Sequence, residues 1–346
     1  MAAQPSVFIL NRTCLEVVDH LSGWIDSLGI DLHSERSLGT MSAKDINKAV
    51  QGADALILPA HEREQFPADA HMARQESVKM MAIAANGFEW LDLEAATQHG
   101  IVITNAPARE GIEAVADQAF ALMLATARQI PHHHQLIRQG RFGRGIGVSV
   151  WAKTLGIVGL GTIGRAVARR AHGFDMQINA TTTRPDEKFN RAWGVKVVPL
   201  EQLLRESDFV SLHVRLNEQT RGMIGANELA MMKKSAMLIN TARQGVVDEA
   251  ALTAALLSGQ IAGAGLDDPP AQRDTALLDH PGFVCSPHLG NRAREGMVAV
   301  LRLAIEQAVD VLNGRRPQHV LNPQVYDLPQ LRANTDTIAK PGTRSP

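Results

Sequence analysis

Two side chains with complementary chemistry stand late in the sequence. Arg243 lies in the stretch NTARQG and His288 lies in SPHLG. A guanidinium offers several donors to a carboxylate or carbonyl group, and an imidazole can donate or accept a proton near neutral pH. A carboxylic acid that orients the imidazole is expected between them, in the stretch GLDDPPAQRD at residues 265–274. Together such residues could hold an anionic substrate and move a proton on it.

A third stretch, GIVGLGTIGRA, contains Gly159, Gly161 and Gly164 directly after an apolar run and before a helical pattern. In that context the three glycines allow a tight turn, close approach of a pyrophosphate, and close packing of the helix on the strand. The helix begins with Thr162 and Ile163, and its N-terminus attracts phosphate groups. The pattern predicts a dinucleotide-binding loop.

The residues at the end of the following strand bear on the choice between NADP(H) and NAD(H). An acidic residue about 20 positions after the glycines usually binds the ribose hydroxyls and marks NAD. This sequence has Thr182, Thr183 and Arg184 in that region. Hydroxyls and a guanidinium can receive a 2′-phosphate, which an aspartate would repel. We therefore expect NADP(H) to be favoured; use of NAD(H) as well is the alternative, with Arg184 in solvent.

Short apolar runs alternate with amphipathic segments along the chain, which is typical of βα units around parallel sheets. One series runs from SVFIL to GIVITNAP, and a second begins near Trp151. The sequence predicts an α/β protein with two doubly wound parallel-sheet domains. A flavodoxin-like substrate domain comprises residues 1–102 and 291–346, and a Rossmann nucleotide domain is inserted at 103–290. Residues after about 326 are predicted to form a loose polar tail.

The chain of 346 residues has 45% hydrophobic residues, 21% charged residues and a formal net charge of −1. This composition indicates a globular protein without a basic field for nucleic acid. No secretion leader and no apolar run near the roughly 20 residues of a membrane span are expected. Two distant cysteines, Cys14 and Cys285, are typical of the cytoplasm. No metal site is expected, since the run at residues 132–134 has three histidines but no acidic or thiol ligand beside it.

The stretch EAVADQAFALMLATAR, from Glu113 to Arg128, is apolar over most of its circumference. A helix with this pattern has to be buried on several sides. We expect it at a domain junction or in the interface of a symmetric homodimer.

The ordered motifs GLGTIG, LINTARQGVVDEAAL, AGAGLD and SPHLG resemble those of the D-2-hydroxyacid dehydrogenase family, over a region from about Ser6 to Gly314. That family includes phosphoglycerate, D-lactate and glyoxylate/hydroxypyruvate enzymes and formate dehydrogenase. The resemblance implies hydride transfer between a nicotinamide and a 2-oxo or 2-hydroxy acid. It also implies that His288 is the acid–base group and that Arg243 binds the substrate carboxylate and carbonyl.

The resemblance implies further binding roles. Asp267 matches a residue that orients the nicotinamide carboxamide. The backbone amides of Ala85, Asn86 and Gly87 match a loop that binds the substrate carboxylate. Contacts with the cofactor are implied for three more residues near the catalytic pair: Thr241, Ala242 and Gly290.

The residue beside the histidine departs from the usual family pattern. Most members have a glutamate at the position that aligns here with Gln272. A glutamate would stabilise the protonated imidazole, whereas a glutamine can orient the ring without adding charge. We expect Gln272 to be the partner of His288, and a slip of alignment within DDPPAQRD would bring Asp268 or Asp274 there instead.

Two other functions stay open. Formate dehydrogenase also has a glutamine beside its histidine, so formate-type oxidation without proton transfer is one alternative. However, Gly111 stands where that enzyme has an asparagine, and Thr182 stands where it has an aspartate. The second alternative is a nucleotide-sensing binding protein similar to the corepressors that resemble this family. The 2-oxo acid reductase is favoured because Arg243 and His288 are both present.

Overall fold

The computed structural model describes residues 4–10, 12–35, 41–59, 76–143, 145–270 and 275–333. The strands of this part of the chain are β1 (Ser6–Ile9), β2 (Asp31–Ser34), β3 (Ala55–Leu58), β4 (Met80–Ile83), β5 (Val102–Asn105), β6 (Thr154–Val158), β7 (Gln177–Thr181), β8 (Val195–Val197), β9 (Phe209–Leu212), β10 (Met237–Asn240), β11 (Gly263–Leu266) and β12 (Phe283–Cys285).

The α-helices of the same residues are α1 (Arg12–Leu15), α2 (Ser22–Asp26), α3 (Ala43–Ala49), α4 (Leu93–Gln98), α5 (Arg109–Ala127), α6 (Ile130–Arg138), α7 (Thr162–His172), α8 (Glu187–Ala192), α9 (Leu200–Glu206), α10 (Ala226–Met231), α11 (Glu249–Leu257), α12 (Thr275–Leu278) and α13 (Arg294–Leu312). Short 3₁₀ helices lie at Val18–Leu21, Gln244–Val246 and Pro323–Asp327.

The chain folds into two compact units. The first contains the described residues up to Gly111 and from Asn291 onward, and the second runs from Ile112 to Gly290. The chain passes from the first unit to the second within α5, after Gly111, and returns after Gly290. The domain boundaries expected from the sequence, 102/103 and 290/291, stay predictions.

The first unit is built on a five-stranded sheet with the order β2-β1-β3-β4-β5. All of its pairings are parallel, and this order is that of flavodoxin-like folds. Strands β3, β4 and β5 are buried at every position, as expected for a parallel sheet covered on both faces. Helix α13 packs against these three strands. The flavodoxin-like prediction is confirmed.

The second unit is built on a seven-stranded parallel sheet with the order β12-β11-β10-β9-β6-β7-β8. Counted from the β8 edge, the first six strands have the 3-2-1-4-5-6 order of Rossmann folds. Strand β12 is the seventh and lies beside β11 at the other edge. The order reverses between β6 and β9, where open α/β sheets bind ligands. The glycine motif directly follows β6, so the fold brings the predicted nucleotide loop to that point.

The segment after the last 3₁₀ helix packs against the first unit up to residue 333, contrary to the predicted loose tail. The amide of Arg332 donates to the carbonyl of Gly100 at 3.0 Å, and its Nη1 donates to the carbonyl of Val78 at 3.3 Å. Ala333 is buried. These hydrogen bonds satisfy backbone groups of the first unit. The polar composition of the segment does not predict them. The rest of the predicted tail lies outside the described residues.

Candidate active site

Arg243, Asp268 and His288 follow three neighbouring strands of the second sheet. Strand β11 pairs in parallel with β10 on one side and with β12 on the other. Because the carboxyl ends of parallel strands meet at one edge of a sheet, the loops after them lie together. The predicted arginine and histidine, which are far apart in the sequence, therefore belong to one edge of one unit.

The imidazole of His288 is hydrogen-bonded to a carboxylate. Its Nδ1 lies 2.7 Å from Oδ1 of Asp268, and both side chains are about three-quarters covered. The other oxygen of Asp268, Oδ2, accepts a hydrogen bond from the amide of Gln244 at 3.2 Å. One carboxylate thus connects the histidine ring to the backbone next to Arg243. Gln272, the expected partner, lies outside the described residues, so its role stays a prediction.

The backbone of His288 is held in the left-handed region, with φ of 57°, which residues with a side chain seldom adopt. Its amide donates to the carbonyl of Asp267 at 2.7 Å. The Asp267 carboxylate, only 3% exposed, accepts hydrogen bonds from Ser286 Oγ at 2.6 Å and from the amides of Leu289 at 2.9 Å and Gly290 at 2.7 Å. Asp267 therefore shapes the loop that presents the histidine, and its contact with a nicotinamide stays a prediction.

The loop that carries Arg243 is tied down by Asn240, the last residue of β10. Asn240 Oδ1 accepts a hydrogen bond from the amide of Ala242, and its Nδ2 donates to the carbonyl of Arg243, both at 2.9 Å. The guanidinium Nη1 donates to the carbonyl of Ala242 at 2.7 Å. The hydroxyl of Thr241 is buried and has no hydrogen-bond partner among the described residues. A buried hydroxyl of this kind is suited to a ligand.

The loop after β6 has the geometry that a dinucleotide requires. Gly159 has φ of 96°, and a Cβ there would lie 2.8 Å from the carbonyl oxygen of His213. A Cβ on Gly164 would collide with the carbonyl of Gly159, whereas a Cβ on Gly161 would meet nothing within 4 Å. The loop is thus closely packed on its inner side and open at Gly161, where a pyrophosphate would approach.

The start of α7 carries no negative charge that would oppose a phosphate. The helix begins at Thr162, followed by Ile163, and its first turn contains no acidic residue. Burial lowers the pKa of the imidazole of His213 to about 3, so this neighbour of the loop is neutral. The N-terminal amides and the helix dipole favour an anion here, so the loop fits the pyrophosphate of a dinucleotide.

Similar sequences include members of one enzyme family. The profile of the D-isomer specific 2-hydroxyacid dehydrogenase NAD binding domain matches residues 120–290. The glyoxylate reductase of Korarchaeum cryptofilum is 39% identical over 296 residues, which cover 82% of this chain and 87% of that protein. This chain belongs to the D-isomer specific 2-hydroxyacid dehydrogenase family. Glyoxylate/hydroxypyruvate reductase B of Yersinia enterocolitica is 35% identical over 303 residues, with 85% and 91% of the two chains covered.

A solved structure supports the same family assignment. The glyoxylate reductase from Paecilomyes thermophila has a TM-score of 0.77 and 29% identity, and the match covers 94% of this chain and all of that one. The resemblance seen in the motifs is confirmed. The protein is an NAD(P)-dependent oxidoreductase of 2-oxo and 2-hydroxy acids. Among the helices of its described residues, none combines the length and hydropathy that crossing a membrane requires.

The three residues predicted to select the cofactor, Thr182, Thr183 and Arg184, follow β7 of the dehydrogenase. The hydroxyl of Thr182 accepts a hydrogen bond from the amide of Arg184 at 3.2 Å, and the side chains of Thr183 and Arg184 are exposed. Asp186, the next acidic residue along the chain, accepts from the amide of Phe189 at 3.1 Å and pairs with the guanidinium of Arg165 at 2.7 Å. The amide and the guanidinium hold the pKa of Asp186 below its usual value.

The predicted carboxylate-binding loop follows β4 in the other unit of the dehydrogenase. Ala85 is buried, and its amide donates to the carbonyl of Ile83 at 2.8 Å. The carbonyl of Asn86 accepts a hydrogen bond from Nδ2 of Asn105 at 2.7 Å. The amide of Ala85 thus has a partner within its own unit, and substrate contacts of Ala85, Asn86 and Gly87 stay predictions.

Three polar residues of the site were not expected from the sequence as structural partners: Asn240, Gln118 and Ser286. Asn240 could have been noticed, because an amide side chain at the end of an apolar strand often ties the following loop. Gln118 belongs to α5 and reaches the loop of His288. No local sequence pattern predicts this contact, since Asp267 and Ser286, the partners of Gln118, are far away in the sequence.

Proposed function

We propose that the enzyme is an NADP(H)-preferring reductase of small 2-oxo acids, with glyoxylate and hydroxypyruvate as the first candidates. The names of the two similar reductases support these substrates. The observation that carries the proposal is the hydrogen bond between His288 Nδ1 and Asp268, at the same sheet edge as Arg243. This arrangement provides a proton and an anion-binding group together.

In the proposed mechanism Arg243 binds the carboxylate of the substrate and polarises its 2-oxo group. When bound, the nicotinamide cofactor would supply the hydride. His288 donates a proton from Nε2 to the carbonyl oxygen as the alcohol forms, and accepts it in the reverse direction. Asp268 holds Nδ1 and stabilises the protonated ring before the transfer. Asp267, Thr241, Ala242 and Gly290 are proposed to line the nicotinamide.

The preference for NADP(H) rests on Thr182, Thr183 and Arg184. Two hydroxyls and an exposed guanidinium can bind a 2′-phosphate, and Asp186 is paired with Arg165, which reduces the repulsion between its carboxylate and a phosphate. NAD(H) is the second cofactor that the loop would accept, because nothing in the loop opposes a ribose hydroxyl.

Gln272 stays a proposed neighbour of the histidine rather than its main partner. The carboxylate observed at Nδ1 favours proton transfer, which formate oxidation does not need. Formate-type oxidation is therefore the weaker candidate. A nucleotide-sensing protein without turnover is weaker still, because it would have no use for a histidine–carboxylate pair beside an arginine.

A homodimer stays the proposed assembly. Helix α5, expected at a domain junction or in a subunit interface, starts before the chain passes into the second unit at Ile112. Its residues Phe120, Leu122 and Met123 belong to the core of that unit. Five large apolar side chains follow α5 and are exposed: Ile130, Ile137, Phe142, Ile146 and Trp151. An exposed apolar group of this size indicates an interface, and a second copy of the chain is the proposed partner. A cytoplasmic location is proposed from the two cysteines, neither of which forms a disulfide.

The function is tested by following oxidation of NADPH and of NADH with glyoxylate, hydroxypyruvate and pyruvate. We expect turnover with NADPH preferred, and a loss of kcat/KM of about 100-fold or more in Arg243→Ala and in His288→Ala. Exposed Arg205→Ala and His20→Ala are matched controls and should keep full activity. Retained turnover in both site variants would contradict the mechanism. Tight NADPH binding without any turnover would favour the sensor, and oxidation of formate would favour the other alternative.

A further inference from the structure

Gln118 joins helix α5 to the loop that presents His288. Its Nε2 donates to Ser286 Oγ at 2.9 Å and to Asp267 Oδ1 at 3.3 Å. The hydroxyl of Ser286 donates to the same Oδ1 at 2.6 Å. We call these three side chains the amide–hydroxyl–carboxylate ring. Its members come from α5, from the end of β12 and from the end of β11, and the proposed mechanism assigns no role to Gln118.

The ring is attached to the backbone on both sides of the histidine. Asp267 accepts the amides of Leu289 and Gly290 and, through its carbonyl, the amide of His288. A Cβ on Gly290 would lie 2.8 Å from Asp267 Oδ2, so this part of the loop lies directly against the carboxylate. A left-handed residue such as His288 persists only when its surroundings hold it in place. The ring provides that support.

Gln118 matters for this support because the carboxylate of Asp267 is buried. A buried acceptor that loses a donor is destabilised by the missing hydrogen bond, since water cannot replace the donor. Ser286 also depends on the side-chain amide of Gln118. The hydroxyl of Ser286 accepts a hydrogen bond from that amide and donates one to Asp267. Removal of the amide therefore weakens two members of the ring at once.

We propose that Gln118 is a positioning residue for proton transfer, acting through Ser286 and Asp267 on the loop of His288. The proposal rests on the proposed role of His288 as the proton donor. It implies that Gln118 affects the chemical step more than the binding of NADPH. The ring reaches the proposed nicotinamide residues Asp267 and Gly290, whereas the glycine loop and residues 182–184, proposed to bind the phosphates, are not part of it.

The test is Gln118→Met, which keeps the length of the side chain and removes its N–H donors. We expect kcat for a 2-oxo acid to fall about 10-fold or more, since small displacements of a reacting group are costly. The Kd for NADPH should change by less than about 3-fold, and the isotope effect with 4-deuterated NADPH should increase. Gln202→Met is the matched control, because Gln202 pairs with exposed Glu206 on α9. Unchanged kcat, or an equal loss in NADPH affinity, would overturn the proposal.

A double variant separates positioning from general damage. In Gln118→Met/Ser286→Ala, the loss of kcat should be smaller than the product of the single losses, since both residues act through one ring. Independent, multiplicative losses would count against the proposal.

Hydrogen–deuterium exchange of the cofactor-free protein provides a readout that does not need turnover. Gln118→Met should speed exchange at the amides of His288, Leu289 and Gly290, while the amides of β10 stay as protected as in the wild type. Unchanged exchange at the loop would overturn the proposal. If the wild-type protein reduces no 2-oxo acid, the proposed function fails by itself, and the exchange result still decides whether Gln118 holds the loop.

Discussion

Asp268 uses both of its carboxylate oxygens on residues of the active site. Oδ1 contacts the ring of His288, and Oδ2 accepts the amide of Gln244, which follows Arg243. The carboxylate can therefore fix the direction of the imidazole relative to the loop of the arginine. The negative charge of Asp268 also stabilises the imidazole of His288 while the ring is protonated.

Asp268→Asn should slow reduction. The asparagine keeps the size of the side chain but provides no negative charge beside the ring of His288 that donates the proton. We expect a loss of kcat/KM of about 10-fold or more. The measurement is kcat/KM for the 2-oxo acid, obtained from the rate of NADPH oxidation.

Gln272→Ala and Asp274→Asn are the matched comparisons for Asp268→Asn. Both should keep the kcat/KM of the wild type. A loss of kcat/KM in Gln272→Ala together with an unchanged kcat/KM in Asp268→Asn would return the role to Gln272.

At the scale of the elements, the loop after β7 is fixed from two sides. Arg165, in the first turns of α7, donates to Asp186 at 2.7 Å and to the carbonyl of Leu160 at 3.3 Å. Its guanidinium also lies 5.0 Å from the centre of the Phe189 ring. One side chain therefore connects the glycine loop to the loop with Thr182 and Arg184, which gives the proposed phosphate site a defined base.

Cofactor choice should change with single substitutions in this loop. Thr182→Asp introduces a carboxylate that repels a 2′-phosphate and can accept ribose hydroxyls, so kcat/KM with NADPH should fall about 10- to 100-fold relative to NADH. Arg184→Ala should lower the same ratio. Arg191→Ala, another exposed arginine on α8, is the control and should leave the ratio unchanged. Equal losses with both cofactors in Arg184→Ala would exclude a contact with the 2′-phosphate.

Local patterns were sufficient to predict most strands and the nucleotide loop. Apolar runs marked β3, β4 and β5, and the glycine spacing marked the start of α7, because these features depend on neighbouring residues. Strand β2 escaped notice since DLHS at Asp31–Ser34 is polar and largely exposed. Its place at the edge of the sheet follows from its pairing with β1 and not from its composition.

The site was predictable where one residue has a recognisable chemical role, as with Arg243 and His288. Its internal contacts were not. The choice between Asp268 and Gln272 depends on the path of a short proline-containing loop, which an alignment does not determine. The contacts of Gln118 join parts of the chain that only the folded unit brings together, and no periodicity encodes them.

At the scale of the whole molecule, the exposed apolar side chains after α5 make the oligomeric state testable. Burial of a phenylalanine or isoleucine is worth about 1.5–3 kcal/mol, so Phe142→Ser with Ile146→Ser should raise the dimer dissociation constant at least ~10-fold. Sedimentation velocity over a dilution series measures this change. Leu257→Ser, an exposed leucine on α11, is the control. A wild-type protein that sediments as a monomer at all concentrations would contradict the proposed interface.

The position of α13 in the chain has a consequence for the order of folding during synthesis. This helix follows the whole second unit, yet its residues Val300, Leu301 and Ile305 are buried in the core of the first. The ribosome must therefore complete the nucleotide unit before the helix that covers β3, β4 and β5 has been made. Until then the earliest strands have an open apolar face, so the part of the protein that is synthesised first is the part that can finish folding last.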